Sequence, residues 1–425
     1  MLIQFEVDNF LSIKDTATFN LESIQKDGNS FKSLNYNLLQ SSVIYGANAS
    51  GKSNLLKAMK LMTSLVLNRA DVKQSADRLE HNPFLLNSKT RDTSTSFEII
   101  FIIEETIFRY GFEYDNKIVY SEWLFSTPQK GKRESKLFYR DEDEFYINST
   151  KFKEGRGLGK VTLDNHLFLW KCDNANGVIS QKILLWFSRF NIIDGLDNSS
   201  YLNYTKRKLN DENFKQNILN LVKVADLGIS ALDVYEEQMS DEAFNKLELP
   251  QKIKQEIKSM GGLSKFNTVT QHNFFDDDNN NIGTIDFDLE KNESLGTQKF
   301  FALSAPIIDT LKYGKILVID ELDASLHPIL TTYLIEMFHN KALNVNNAQL
   351  IFVTHDTNLL NRELFNREQI WFMEKDRYGA SDLYSLVEYQ EKNKNKNIEK
   401  KYFQGRYGAI PYIGQFSFKG FSDES

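Results

Sequence analysis

Residues 41–65 read SSVIYGANASGKSNLLKAMKLMTSL, and the run changes character twice. Ser41 to Tyr45 is a short apolar stretch with the pattern of a buried strand, whereas beyond Lys52 the apolar residues recur at helical spacing. Between the two lies Gly46-Ala-Asn-Ala-Ser-Gly51-Lys52-Ser53, which fits G-x-x-x-x-G-K-[ST] in the strand–loop–helix setting that gives this pattern meaning.

In such a loop the glycines let backbone N–H groups curl around a β-phosphate. A lysine neutralises β/γ charge there, and the following hydroxyl can ligand Mg²⁺. Gly46, Asn48, Ser50, Gly51, Lys52, Ser53 and Asn54 are therefore the expected nucleotide contacts, with Lys52 also catalytic and Ser53 also a metal ligand. ATP and Mg²⁺ are the expected cofactors. The second half of such a site is an apolar strand ending in acid, and Ile316-Leu317-Val318-Ile319-Asp320-Glu321 supplies it. Asp320 is expected to hold Mg²⁺ through water, and Glu321 to orient and deprotonate the attacking water. Taken alone, an apolar strand followed by two acids is common and often structural; paired with the phosphate loop it points to hydrolysis.

His355, in LIFVTHDTNLL, ends the next apolar strand and is the candidate to reach a γ-phosphate, although histidines close many strands for structural reasons. His327, in LHP, reads as a structural residue ahead of a helix opened by Pro328. The other histidines, 81, 166, 272 and 339, show no metal-ligand spacing. Near residue 293 the chain reads NESLGTQKFFALSAPII, where Ser294 and Gly296 precede a long apolar helix and leave bare N–H groups, a natural seat for an anion.

At 425 residues the chain exceeds the size of one hydrophobic core, so two lobes or one core with a large insertion are expected. The single cysteine, Cys172, excludes a disulfide framework and a cysteine-based zinc site, in keeping with a reducing cytosol. No run approaches the roughly 18 consecutive apolar residues of a membrane helix. MLIQFEVDNFLSIKD reads as a strand and not as a signal peptide, so a cytoplasmic location with no membrane partner is expected. The net charge of −7 argues against wholesale coating of nucleic acid.

From about 96 to 170, strand-like runs such as SFEIIFII, TIFRYGFEY and KLFYR separated by turn residues predict a meandering antiparallel sheet. From about 178 to 262 the pattern predicts helices without sustained heptads. FNTVTQHNFFDDDNNNIGTIDFDLE predicts a hairpin whose acidic tip is a solvated loop in preference to a metal site. A helix over 296–313, the strand KILVIDE, a helix over 328–340 and the strand AQLIFVTH complete the reading. The expected fold is α/β, a P-loop NTPase with a β-rich N-terminal lobe and a compact helical insertion. The expected divisions are 1–175, 176–265 and 266–425.

The ordered set GANASGKS, ESLGTQKFFAL, ILVIDELDASLHP and IFVTHD resembles the ABC-type ATPases of the SMC/RecF/OLD branch. The resemblance implies that Ser294 and Gly296 bind the γ-phosphate of ATP held by a second subunit, in a homodimer or larger homo-oligomer. It also places Asp323, with Ser325, in a D-loop at the dimer seam. Glu293, Leu295 and Thr297 depart from the transporter signature L-S-G-G-Q, as does the long gap between Lys52 and Ser294. No glutamine loop can be placed: the nearest candidate, Gln74, reads as helix.

More narrowly the chain resembles the ATPases of abortive-infection and anti-phage systems, of the AbiLi, RloA and PARIS AriA kind. This implies a slow ATPase acting as sensor and scaffold for a separate effector, a Toprim-type nuclease or another toxin, with DNA or a phage protein as trigger. Asp286-x-Asp288 has no matching glutamate strand, so no nuclease is expected in this chain. The alternative is a RecF/SMC-like DNA repair or maintenance ATPase acting on DNA directly. A scaffold that uses ATP only as glue and a transporter ATPase fit less well. Basic stretches at 130–133 and 206–208, and the tail lysines 392, 394, 396, 400 and 401 with Arg406, are open to two readings, solvated surface or contact with phosphate or an acidic partner.

Overall fold

In the structure, a computed structural model, all residues are described except 25–28, 131–132, 226–227, 239, 247–250, 252–253, 255–263, 390–396 and 412–425. The chain divides into two compact units, one of Leu2–Ser188 with Ile351–Ser425, the other of Arg189–Leu350 with Met1. No described helix is long and apolar enough to cross a membrane.

The first unit begins with β1 (Leu2–Asp8) and β2 (Ala17–Asn20), followed by a small ribbon of β3 (Ser30–Ser33) and β4 (Tyr36–Leu39). β5 (Ser41–Tyr45) leads through the Gly-rich loop into α1 (Lys52–Val66). Five strands then run back and forth: β6 (Thr95–Ile103), β7 (Thr106–Tyr114), β8 (Val119–Pro128), β9 (Ser135–Arg140) and β10 (Phe145–Ile147). With β1 and β2 they form an antiparallel sheet ordered β10-β9-β8-β7-β6-β1-β2, the expected meander extended by the two N-terminal strands. α2 (Phe168–Asn174) and α3 (Val178–Phe187) follow. Trp186 stacks on Phe101 of β6 with centroids 4.0 Å apart, and Phe187 meets Tyr110 of β7 edge-on, so α3 covers one face of the sheet.

Alternation along β8 turns Glu122 into that core, where it is fully buried. Its carboxylate is paired with Arg140, accepts from Tyr110 Oη at 3.0 Å, and accepts from the backbone N–H groups of Phe168 (2.6 Å) and Leu169 (3.1 Å). A buried charge so fully partnered is tolerated, and here it also satisfies the start of α2, which no residue of its own caps. Glu154 serves α3 in the same way through Ile179 N and Ser180 N.

The second unit opens with β11 (Phe190–Asp194), α4 (Ser199–Lys208), α5 (Glu212–Val224), β12 (Ile229–Gln238) and α6 (Asp241–Lys246). The region expected to be helical thus contains two strands. A run as short as FNIID cannot be told from helix by periodicity; its parallel pairing with β15 (Ile316–Asp320) decides it. β13 (Ser264–Phe275) and β14 (Asn281–Asp288) form the expected hairpin and join β12 in a three-stranded antiparallel sheet. At its tip Asp276 accepts from the N–H groups of Asp278 and Asn280, a self-satisfied loop. Among the described residues no group of His, Cys, Asp and Glu gathers as a metal cluster.

α7 (Leu289–Asn292) leads into α8 (Leu295–Tyr313), which carries Pro306. The proline removes the N–H that would reach Ala302 O, and Thr205 Oγ1 on α4 donates to that carbonyl at 2.6 Å instead. After β15 comes α9 (Pro328–His339). β16 (Gln349–Val353) leads to β17 (Ile370–Lys375), which pairs parallel with β5 and antiparallel with β18 (Ser381–Ser385) in the first unit; α10 (Ile398–Phe403) follows.

At three polar positions the structure corrects or decides the reading. Gln74 lies in a turn and not a helix, its N–H donating to Asp77 Oδ2 at 2.9 Å. Lys206 is buried, with Nζ 2.7 Å from Glu290 Oε2, whereas Arg207 beside it is exposed, so the trio 206–208 is only partly a solvated face. Lys401, read as part of a solvated basic helix, is also buried, while Lys392, Lys394 and Lys396, like Lys132, lie outside the described residues.

Candidate nucleotide site

In the first unit, β5 is buried throughout and holds its register against β17, with Val43, Ile44 and Tyr45 opposite Ile370, Trp371 and Phe372. This pins the point from which the loop departs. A Cβ on Gly46 would meet Met373 O at 2.3 Å, and one on Gly51 would meet Ser381 Oγ at 2.2 Å and Ser12 Oγ at 2.7 Å. Gly51 also sits at φ 109°, a conformation that side-chain-bearing residues avoid. Both glycines are thus demanded by their surroundings. Ser12 and Ser381 form the floor beneath the loop: Ser381 Oγ donates to Ser50 O at 2.7 Å, and Asn54 Nδ2 donates to Ser12 Oγ at 2.7 Å. Asn54, expected to touch nucleotide, is engaged in bracing the loop.

Lys52, the first residue of α1, is 5% exposed, and its ammonium donates to Gly46 O (2.8 Å) and Ala47 O (3.0 Å), folding back over the loop. Ser53 follows it on the helix, and Asn48 is exposed at the loop tip beside Ala49, which adopts φ 62°. Ser50 Oγ is buried without a partner among the described residues. No side chain caps α1 and no acid stands in its first turn, so its N-terminus keeps its positive end toward the loop. His355 is exposed two residues beyond β16, and its neighbours tie it to the root of the loop: Thr354 N donates to Ile44 O at 3.4 Å, and Tyr45 Oη donates to Asp356 O at 3.0 Å.

In the second unit, Asp320 closes β15, and its Oδ1 is buried with no hydrogen-bond partner among the described residues. An orphaned carboxylate oxygen at a strand end fits a cation or its bound water. Glu321 adopts φ 51°, rare for a side-chain-bearing residue, at a cost of about 1–3 kcal/mol. Its carbonyl accepts from Lys299 Nζ at 3.1 Å, and Gly195 packs so closely that a Cβ there would lie 2.2 Å from Asp320 O and 2.4 Å from Glu321 O. Lys299, buried on α8, has its pKa pushed down to about 8 by burial, opposed by the carboxylates of Asp323, Glu321 and Asp194. Sequence reasoning missed Gly195, Lys299, Ser12 and Ser381; Gly195 follows a run too short to be read as a strand, so no local signal marked it.

Ser294 is the N-cap of α8, its Oγ accepting from Thr297 N at 3.1 Å. Ser294 and Leu295 are exposed. A Cβ on Gly296 would stand 2.9 Å from Ser325 O, so this glycine lets the turn after β15, which contains Asp323, approach the start of α8. Ser325 itself adopts φ 59°. Glu293, just ahead of the cap, is held by His272 Nε2 (2.7 Å) and Thr270 Oγ1 (2.5 Å) on β13. His327 is confirmed in a capping role, its Nδ1 accepting from Ile329 N at 3.3 Å. The structure gathers Ser294, Gly296, Asp320, Glu321 and Asp323 around one end of β15 and α8 in the second unit, and Gly46 to Asn54 with His355 around the end of β5 in the first.

None of the curated proteins matches this chain. Among solved structures it is similar to the recombination mediator protein RecF–ATP of the RecFOR pathway, at 14% identity over 90% of this chain and 97% of that one, with a TM-score of 0.31. The same mediator as RecF–ATPrS aligns at 12% identity over 90% and 98%, with a TM-score of 0.29. At scores this low nothing more is drawn from either. The family of P-loop proteins described as "AAA domain, putative AbiEii toxin, Type IV TA system" matches residues 41–361, and to that family of AAA-type ATPases this chain belongs.

Proposed function

We propose that the chain is a slow ATPase of a bacterial anti-phage, abortive-infection system that assembles through ATP held between two copies and thereby controls a separate effector. The observation that carries this reading is the start of α8. Ser294 and Leu295 are exposed and Gly296 is fitted against Ser325, so a helix N-terminus is offered outward beside the strand end that bears Asp320 and Glu321. A second copy's γ-phosphate is the anion that such a surface would take. The naming of the matched family for a toxin of a toxin–antitoxin system supports a defence role and a nuclease or other toxin as effector.

In this reading Lys52 and the loop amides of Gly46 to Ser53 bind the β- and γ-phosphates, and Asn48, Ser50 and Asn54 shape that cradle. Ser53 and Asp320 are the residues that would hold Mg²⁺, which supplies charge neutralisation at the transferred phosphate when bound. Glu321, its backbone fixed by Lys299 and Gly195, accepts the proton of the attacking water; His355 donates to the γ-phosphate, and Asp323 lines the seam between copies. An ATPase of the DNA-maintenance kind is the competing reading, and the acidic balance of the chain together with the burial of Lys206 weighs against it.

The test is light scattering of the full chain and of Glu321→Gln, with and without ATP and Mg²⁺, alongside phosphate release. Glu321→Gln is expected to slow turnover by roughly 10²–10⁴-fold, the usual effect of losing a general base, and to gain mass with ATP. A particle of unchanged mass in all four conditions would sink the shared-ATP reading. Saturable, salt-sensitive duplex binding by the chain on its own would favour DNA maintenance.

A further inference from the structure

Away from the phosphate loop, the first unit contains a cavity of about 440 Å³ lined by Ile24, Arg362, Phe365, Arg367, Glu368 and Val387 among others. Its size is that of a small-molecule site. Its wall is firmly built. Glu368 is buried and satisfied, Oε1 accepting from Ser23 Oγ and Oε2 from Ile24 N at 2.9 Å. Arg367 Nη2 is spent on the carbonyls of Leu386 (2.7 Å) and Tyr389 (2.6 Å). A short helical turn at Arg367–Gln369, closed by a capping box from Asn366, fixes both.

Arg362 is the exception. Its Nε and Nη2 are buried and find no hydrogen-bond partner among the described residues. These two nitrogens form the side edge of the guanidinium, a fork matched to two oxygens of one anion. The same edge of Arg109 holds both oxygens of Glu134, at 2.9 Å and 2.7 Å. A guanidinium edge buried without partners costs several kcal/mol, a cost that a bound anion removes.

We propose that this cavity binds a small organic anion, a carboxylate or phosphate ester on an apolar body, gripped at two oxygens by Nε and Nη2 of Arg362. Ile24, Phe365 and Val387 provide the apolar contacts. Glu368 is engaged by its own donors and stands as wall. Nothing in this site overlaps the phosphate loop, so its occupancy is separable from ATP binding.

Ligand-observed fluorine NMR on the full chain, with 4-fluorobenzoate, 4-fluorophenyl phosphate and the neutral 4-fluorobenzamide as probes, tests it. At least one of the two anions is expected to bind saturably and the amide not, and the preferred anion identifies the headgroup. Arg362→Lys, which keeps the charge but loses the fork, should weaken that anion about tenfold or more while leaving ATP affinity unchanged. Arg362→Met should abolish binding, melt no lower than the parent without probe, and lose the rise in melting temperature that the anion gives the parent. If Arg362→Met fails to fold, Arg362→Lys decides the matter. Absence of binding by both anions, equal binding of the amide, or unchanged affinity in Arg362→Lys would overturn the proposal.

Discussion

The start of α1 has no side-chain cap and a left-handed glycine before it, whereas the start of α8 is capped by its own Ser294. In the proposed function both helices meet phosphate, and their N–H groups are prepared differently. At α1 a buried lysine folds over a loop whose glycines admit no substituent, and the first N–H groups of the helix have no side-chain cap. At α8 the hydroxyl already satisfies Thr297 N and the first turn is exposed, so the helix is stable before any ligand arrives. A chain that holds one nucleotide by itself and presents a finished surface to another would need this asymmetry.

The largest expected effect is at Lys52. Lys52→Ala should weaken ATP binding by about 100-fold or more, the worth of two or so charge-assisted hydrogen bonds, whereas Ser294→Ala should leave binding to the isolated chain within about twofold. Equilibrium dialysis with both variants decides it, and equal losses would erase the contrast. Next is Gly51→Ala, expected to lower stability by about 1–3 kcal/mol, because the backbone at φ 109° resists a side chain and the new Cβ falls on Ser381 Oγ. Chemical denaturation measures this directly.

Ser294→Ala should cost about 1 kcal/mol through the lost cap, and it should also remove the ATP-dependent gain in mass expected of Glu321→Gln. If the stability loss appears but assembly survives, Ser294 is a cap and nothing more.

The smallest effect lies in the pH profile. Lys299 has a folded pKa of about 8 against an ordinary 10.5, so between those values the unfolded chain holds the proton and the folded chain does not. Stability contributed by this residue therefore rises as pH climbs from about 8 to 10.5. Thermal melts in that window should lose this component in Lys299→Met, and an identical pH slope would remove Lys299 from the account.

The phosphate loop was readable because its determinants are local: a strand, a fixed glycine spacing and a helix lie within one short segment. The same holds for the meander of β6 to β10 and for α8 and α9, whose periodicity and turn residues are continuous in the chain. β11 and β12 were not readable. Phe190–Asp194 is too short to declare its period, and pairing with β15 makes it a strand. Charged residues were left open or misread for a related reason, since sequence assigns them to solvent by default. Lys206 reaches Glu290 across a long sequence separation and Lys401 is packed inside, and neither burial has a local signature.

By itself the sequence determined that a phosphate-binding loop, an acidic strand end and a Ser-x-Gly helix start occur in one order on an α/β chain, because each is specified by neighbouring residues and by side-chain chemistry. Tertiary structure alone decided which residues hold those motifs in place. Ser12 and Ser381 under the loop, Gly195 and Lys299 against Glu321, and Thr205 on the carbonyl left by Pro306 are all contacts between separate segments of the chain, and packing, not pattern, brings them together.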